Sequence, residues 1–271
     1  MRVSVPASSA NLGPGFDALG LALDLPFLLS NSPGGKALEA EPTHPASVAF
    51  ARAGGRGPLW WKSPIPPGRG LGFSGSARVA GALMGLLQAG RPEAEAKPIA
   101  LGIACELEGH PDNAAASMLG GITTAAGGRA VRISTPLDLS VVVWWPSSST
   151  STNQARAALP TTVPFEDAVF NVGRSSLLVA ALAAGDVASL ATATEDRLHQ
   201  QARLAMSPVS AVALDALRDA GVLAAWLSGS GPTVAAFVWP DDAERVAAAL
   251  PADGTARVLR IDTVGAHLVR A

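Results

Sequence analysis

The sequence predicts an α/β protein of the α+β kind, built in two parts. Three observations predict it. A glycine-rich loop (67–76) runs straight into an amphipathic helix. The second half follows the order β-α-β-β-α-β once its middle helices are treated as one insertion, which is the split βαβ pattern. The 271 residues are 48% hydrophobic and only 15% charged, which suits compact layers of helix and sheet.

In chain order, short apolar runs bounded by turn residues predict strands at 2–7, 19–25 and 59–65. The next element is a helix at 74–88, where Val79, Leu83, Leu86 and Leu87 recur at helical offsets. Helices at 92–108 and 112–119 follow, then a strand pair at 121–125 and 130–135 and a crossover at 136–140. A continuous apolar run, Ser140 to Trp145, opens the second half as a buried strand. Helices are expected at 151–159, 165–184, 188–204 and 208–220. The apolar window Val222 to Trp239 is broken by Ser228-Gly229-Ser230-Gly231-Pro232, so it reads as strand, turn, strand (222–227 and 233–239) rather than a membrane span. A helix at 241–250 and a strand at 256–262 complete the set. The expected division is 1–138 and 139–271.

Composition narrows the function classes. A net charge of −2 and a pI near 6.1, with no basic run, argue against nucleic acid or an anionic membrane as partner. The start, Met1-Arg2-Val3-Ser4-Val5-Pro6, turns polar too soon for a secretory signal. Cys105 is the single cysteine, which excludes an internal disulfide and fits a reducing, cytoplasmic setting; it reads as a small buried hydrophobe.

The loop Pro67-Gly68-Arg69-Gly70-Leu71-Gly72-Phe73-Ser74-Gly75-Ser76 carries the first chemistry. Its glycines allow close backbone approach, and the helix behind it offers unpaired N–H groups with a partial positive charge. That combination is an anion site, most often for phosphate. It lacks the Lys-Ser/Thr ending of a P-loop and the spacing of a dinucleotide fingerprint. Further loops concentrate polar groups. Asn11 and Asp17 lie in Pro6 to Asp17, where turn chemistry accounts for them as well as a site does. In Cys105-Glu106-Leu107-Glu108-Gly109-His110-Pro111-Asp112-Asn113, a helical wheel places Glu106 within roughly 20° of Ile99, on the apolar face, with Glu108 about opposite. An inward carboxylate needs a salt bridge or a cation such as Mg²⁺. Asp112 and Asn113 also suit a helix cap. Arg174, in an apolar helix, needs an anion or a route to solvent.

The 67–76 loop resembles the Pro-x-x-x-Gly-Leu-Gly-Ser-Ser-Ala-Ala signature of the GHMP kinases, with Phe73 at the first serine, Ser74 at the second, and Gly75 and Ser76 at the alanines. The Asn-x-Gly-x-Gly-Phe-Asp string from Asn11 to Asp17, the Glu-Gly-His-Pro-Asp-Asn run from Glu108 to Asn113 and the Glu-Asp-x-x-His-Gln-x-x-Arg run from Glu195 to Arg203 are similar to homoserine kinases within that superfamily, and Leu227-Ser228-Gly229-Ser230-Gly231-Pro232-Thr233 resembles the third GHMP signature. The resemblance spans residues 3 to about 262 and is weakest over Ser30 to Pro58, where the family forms its adenine pocket. It implies the two-domain GHMP fold, ATP and Mg²⁺ as cofactors, and phosphorylation of the L-homoserine side-chain hydroxyl on the route to threonine, with a homodimer suggested. By the same resemblance, residues 67–76 cradle the nucleotide and Ser74 and Glu106 hold Mg²⁺. Asn11, Asp17, His110, Asp112, Asn113, Arg174 and Arg203 surround homoserine, the two arginines on its carboxylate, with no general base. Two rivals stay open: a GHMP kinase for another alcohol, which needs no carboxylate clamp, and a non-catalytic binding protein of the same fold.

Overall fold

In a computed structural model, which describes residues 1–149 and 151–269, the chain forms two antiparallel sheets with helices packed on them. Residues 150, 270 and 271, within the predicted second part, lie outside the described residues. The first half runs β1 (Arg2–Ala10), β2 (Leu19–Ser30), β3 (Leu38–Glu39), α1 (Pro45–Arg52), β4 (Trp60–Lys62), α2 (Phe73–Gln88), α3 (Glu93–Glu108), α4 (Asp112–Leu119), β5 (Ile122–Ala126) and β6 (Arg129–Ile133). The second half runs β7 (Ser140–Pro146), α5 (Thr152–Ala157), α6 (Phe165–Ala184), α7 (Leu190–Ala193), α8 (Gln200–Ala205), α9 (Pro208–Asp219), β8 (Ala224–Leu227), β9 (Val234–Val238), α10 (Ala243–Ala248), β10 (Gly254–Arg260) and β11 (His267–Leu268).

The seven-stranded sheet grows around β2. Twelve residues long, that strand pairs with all of β1, with β4 at Leu28–Ser30 and with β5 at Leu19–Leu21. The four-stranded sheet has the order β10-β7-β9-β8, as the split βαβ reading requires. Its central strand β7 is buried along its whole length, matching its unbroken apolar run. The last strand, β11, returns to the first sheet beside β1, so the chain's end closes the half its beginning opened.

The first core gathers Val3, Val5, Leu21, Leu23, Phe27 and Leu29 from β1 and β2 under α2, whose Val79, Ala80, Leu83 and Met84 are fully buried. The row of α3 facing this core is Ala96, Ala100 and Ala104, all at zero exposure. Small side chains let the helix axes approach closely, while the bulkier Ile99 stays 40% exposed.

Most predicted elements fall within a few residues of those found. Three short ones, β3, α1 and β11, were not predicted. The predicted helix at 188–204 is a correction: it is broken into α7 and α8. Asp196 breaks it, because its carboxylate accepts the N–H groups of Leu198, His199 and Gln200 at 3.2, 2.9 and 2.8 Å and so starts α8 afresh. The buried Asn171 of α6 fixes that turn, donating to Asp196 Oδ1 at 2.7 Å and accepting from Arg197 N at 2.9 Å. By length and composition α6 could cross a membrane; here Leu178 and Leu182 pack into the core, while Phe165, Val169 and Val172 face outward.

Candidate active site

One cleft runs along the seam between the two halves, lined by Gly68 to Gly75, Asn11, Asp17, Glu108, His110, Asp112, Asn113, Arg156, Arg203 and Gly229. At one end lies the glycine loop. Gly72 takes φ +68° just before α2, and a Cβ there would collide with Ser8 Oγ and press on Asn113. Backbone can therefore come close where any side chain would not. Of the predicted cradle, Gly68 to Gly75 line the cleft, but Pro67 does not, and Ser76 is turned inward. The Ser76 hydroxyl donates to Pro6 O at 2.8 Å inside the core, so it supports the loop from behind.

The loop is fastened from the second half. Ser228 donates to Gly70 O at 2.6 Å, Thr233 donates to Arg69 O, and the Arg69 guanidinium donates to the carbonyls of Pro146 and Ser147. Phe73, the residue out of pattern, turns its ring into an aromatic group with Phe27, His44 and Trp61, at centroid distances of 5.6, 5.9 and 5.4 Å.

The two glutamates of α3 are reversed relative to the sequence reading. Glu106 points outward, 62% exposed, and pairs with Arg52 at 3.0 Å. Glu108 is the inward one, 9% exposed, accepting from Ser74 Oγ at 2.7 Å and pairing with Arg78. A wheel oriented on Ile99 misplaces them, because the packed face is the alanine row 96, 100 and 104. Position 108 is the next step of four along that row. Ser74 and Glu108 thus place two hard oxygens side by side at the start of α2, the donor set that Mg²⁺ takes beside phosphates.

At the other end, the loop after β1 holds three non-glycine residues in left-handed backbone, Asn11, Leu12 and Asp17, at φ 72°, 48° and 56°. Such conformations persist where surroundings over-determine them, and sites are where they cluster. Asn11 is clamped, donating to Gly229 O at 3.1 Å and accepting from Asp17 N at 3.0 Å. His110 and Asp112 sit together, Nδ1 to Oδ1 2.6 Å, and Asp112 also accepts from Asn113 N at 2.7 Å. Burial disfavours the His110 imidazolium. The hydrogen bond to Asp112, with the charges of Asp112, Glu108 and Asp17, outweighs burial and raises its pKa.

Arg203 of α8 is 5% exposed. Its Nη1 donates to Gly229 O at 3.0 Å, its Nε has no partner, and it pairs with no carboxylate among the described residues. Burial, then repulsion from Arg156, pushes its pKa down. Arg174, the other predicted clamp, is not in the cleft: it pairs with Glu195 at 2.8 Å and stacks on Phe170 on the outer side of α6. The second cleft arginine is Arg156 of α5, bonded to both oxygens of Asp17. Both guanidinium groups approach the Phe16 ring, Arg156 at 5.3 Å and Arg203 at 5.1 Å from its centroid. Sequence reading passed over Arg156 because a lone arginine in an alanine-rich helix looks like a solvated residue; its only signal was the polar loop just before it. Cys105 is half-buried against the first core rather than fully buried as expected, and burial pushes its thiol up to about 11.

Residues 43–121 match the GHMP kinase N-terminal domain model and residues 178–256 match the GHMP kinase C-terminal model. The chain is 40% identical to a homoserine kinase of Streptomyces coelicolor, over 99% of this chain and 94% of the relative. It is 39% identical to one of Thermus thermophilus, over 93% and 91%. The chain belongs to the homoserine kinase family of the GHMP kinases. The structure of a homoserine kinase from Cytophaga hutchinsonii superposes on this GHMP kinase with a TM-score of 0.85 at 25% identity, covering 99% of this chain and 97% of the other. A mevalonate kinase structure of L. major, at 16% identity and a TM-score of 0.70, shares the fold. As a member of this family, this GHMP kinase is ATP-dependent.

Proposed function

We propose that the protein transfers the γ-phosphoryl group of ATP to the side-chain hydroxyl of L-homoserine, giving O-phospho-L-homoserine for threonine synthesis. The observation that carries the acceptor is Arg203, a buried guanidinium without a carboxylate partner among the described residues, in the cleft that begins at the glycine loop. A charge so placed calls for an anion from outside the chain, and an amino-acid carboxylate fits its fork. Arg156 joins it as the second arginine, in the role first assigned to Arg174. Asp17, with His110 and Asp112 close by, offers the negative charge an α-ammonium needs. Asn11 and Asn113 line the cleft beside them.

Residues Gly68 to Gly75 and the N-terminus of α2 take the phosphates. Ser74 and Glu108 would hold Mg²⁺, which supplies charge neutralisation on the phosphates when bound. Positioning and electrostatics dominate phosphoryl transfer, and no general base is assigned. The reading divides the chain at residues 138 and 139, the turn from first sheet to second, and places the enzyme in the cytoplasm. A dimer belongs to it too, since α6 leaves Phe165 85% and Val172 68% exposed on one helix face.

A coupled ADP-release assay across homoserine, 3-aminopropanol, mevalonate, galactose and shikimate tests the acceptor. Homoserine should be used well and 3-aminopropanol, which lacks the carboxylate, poorly. Equal use of these two removes the carboxylate reading.

A further inference from the structure

Arg203 carries its positive charge into the cleft, yet among the described residues no acid pairs with it there. Its direction is set by His199, four residues earlier, where the new helix begins. The His199 imidazole is 1% exposed. Its Nε2 lies 2.8 Å from Gly13 O, a carbonyl that can only accept, so Nε2 carries the proton. That leaves Nδ1 with a lone pair, and Arg203 Nη1 donates to it at 3.2 Å. Both bonds need the neutral Nε2–H tautomer. Burial lowers the His199 pKa and keeps it neutral, against the opposing charges of Asp196 and Asp17. The face of the ring rests on Phe16, centroids 5.1 Å apart.

We infer that His199 is a positioning residue for the acceptor: its Nδ1 fixes the Arg203 guanidinium while its Nε2–H ties that arginine to the loop bearing Asn11 and Asp17. The inference rests on the reading of Arg203 as the partner of the substrate carboxylate. Nη1 is used by His199 and Gly229 O, so the Nε–Nη2 edge is left without a protein partner among the described residues. That edge is one of the two on which a guanidinium binds both oxygens of a carboxylate. Holding it in place cuts the ordering cost of binding, and without the histidine the guanidinium would keep only its bond to Gly229 O, leaving the substrate to complete its ordering.

Two conservative variants separate the two bonds. His199→Asn puts an amide oxygen near the place of Nδ1, keeping the acceptor for Arg203. His199→Gln puts an amide NH₂ near the place of Nε2, keeping the bond to Gly13. The positioning role predicts a homoserine KM within about threefold of wild type for the Asn variant. It predicts a rise of about tenfold or more for the Gln variant, equal to the roughly 1.4 kcal/mol that one tenfold step represents. The ATP KM and kcat should stay within about threefold in both, with similar melting temperatures. Equal homoserine KM in the two variants, or losses that follow melting temperature and appear equally in the ATP KM, overturn the inference. NMR of the Arg203 guanidinium decides it without any acceptor: rotation should be slow in wild type and the Asn variant, fast in the Gln variant. Slow rotation in all three overturns it. Failure of wild type to use homoserine would strike the proposed function instead, and the NMR result would still stand or fall alone.

Discussion

Asp17 and Arg156 face each other across the cleft with both carboxylate oxygens bonded, at 2.8 and 2.9 Å, although one belongs to the loop after β1 and the other to α5. The bidentate bond to Asp17 raises the Arg156 pKa. The two charges satisfy one another where, on the proposed reading, an amino acid's ammonium and carboxylate would be received. Arg156→Ala should therefore raise the homoserine KM by about tenfold, the cost of losing a charged hydrogen bond in a partly exposed site. The ATP KM should barely change. Arg174→Ala should behave like wild type, because its partner Glu195 lies outside the cleft. Steady-state kinetics on the two variants checks both halves.

The glutamate pair gives the second contrast. Glu108→Gln should lower kcat by about a hundredfold or more and weaken the dependence on Mg²⁺, since it removes a charged oxygen beside Ser74. Glu106→Gln should change little beyond an exposed ion pair with Arg52, a contact of small worth. Magnesium titrations of activity distinguish them, and the opposite ranking would restore the assignment to Glu106.

Gly72→Val would drive a branched side chain into Ser8 and Asn113 from a left-handed backbone position. Nucleotide binding, followed by calorimetry, should be lost. Circular dichroism should show the fold retained at lower stability. Unchanged affinity would leave the loop as a turn.

Phe73→Ser restores the serine of the family signature but empties the space beside Phe27 and Trp61. We expect a loss of stability of about 2–4 kcal/mol by urea unfolding, as for a large aromatic removed from a packed cluster. Nucleotide binding should persist, because the loop contacts ligand through backbone.

His199 gives a pH dependence whose sign can be worked out. Unfolded, the group titrates near 6.5; folded, burial lowers it. Between those values the unfolded chain binds a proton that the folded one refuses, so stability falls as pH drops from about 7 toward the folded value. Above about 7 its contribution is flat. Asp196, Arg203 and Asp17 are the charges facing it. His199→Asn should lose this limb, seen as a smaller fall in the urea midpoint between about pH 7.5 and pH 5.

Where a signal was periodic or depended on backbone chemistry, the sequence could be read. The helix expected at 165–184 is α6, and the glycine loop opens α2 at Phe73. The order of the second sheet followed from counting elements. Errors arose where size rather than hydrophobicity decides. Alanine marks the tight face of α3, so a wheel weighted toward isoleucine turned Glu106 and Glu108 the wrong way round. Tertiary capping was equally invisible: nothing local in Thr194 to His199 says that Asn171 will hold Asp196 and end a helix. The same limit hid Arg156, whose meaning depends on Asp17, 139 residues earlier.

The stitching of the glycine loop by Ser228 and Thr233 has a consequence for synthesis. Arg69 and Gly70 leave the ribosome long before the hydroxyls that restrain their carbonyls, and β11, which borders β1, comes later still. A nascent chain therefore carries an unrestrained glycine loop through most of its elongation. On the proposed reading, a firm grip on nucleotide depends on residues of the second half, and the first half alone would present its loop without those restraints.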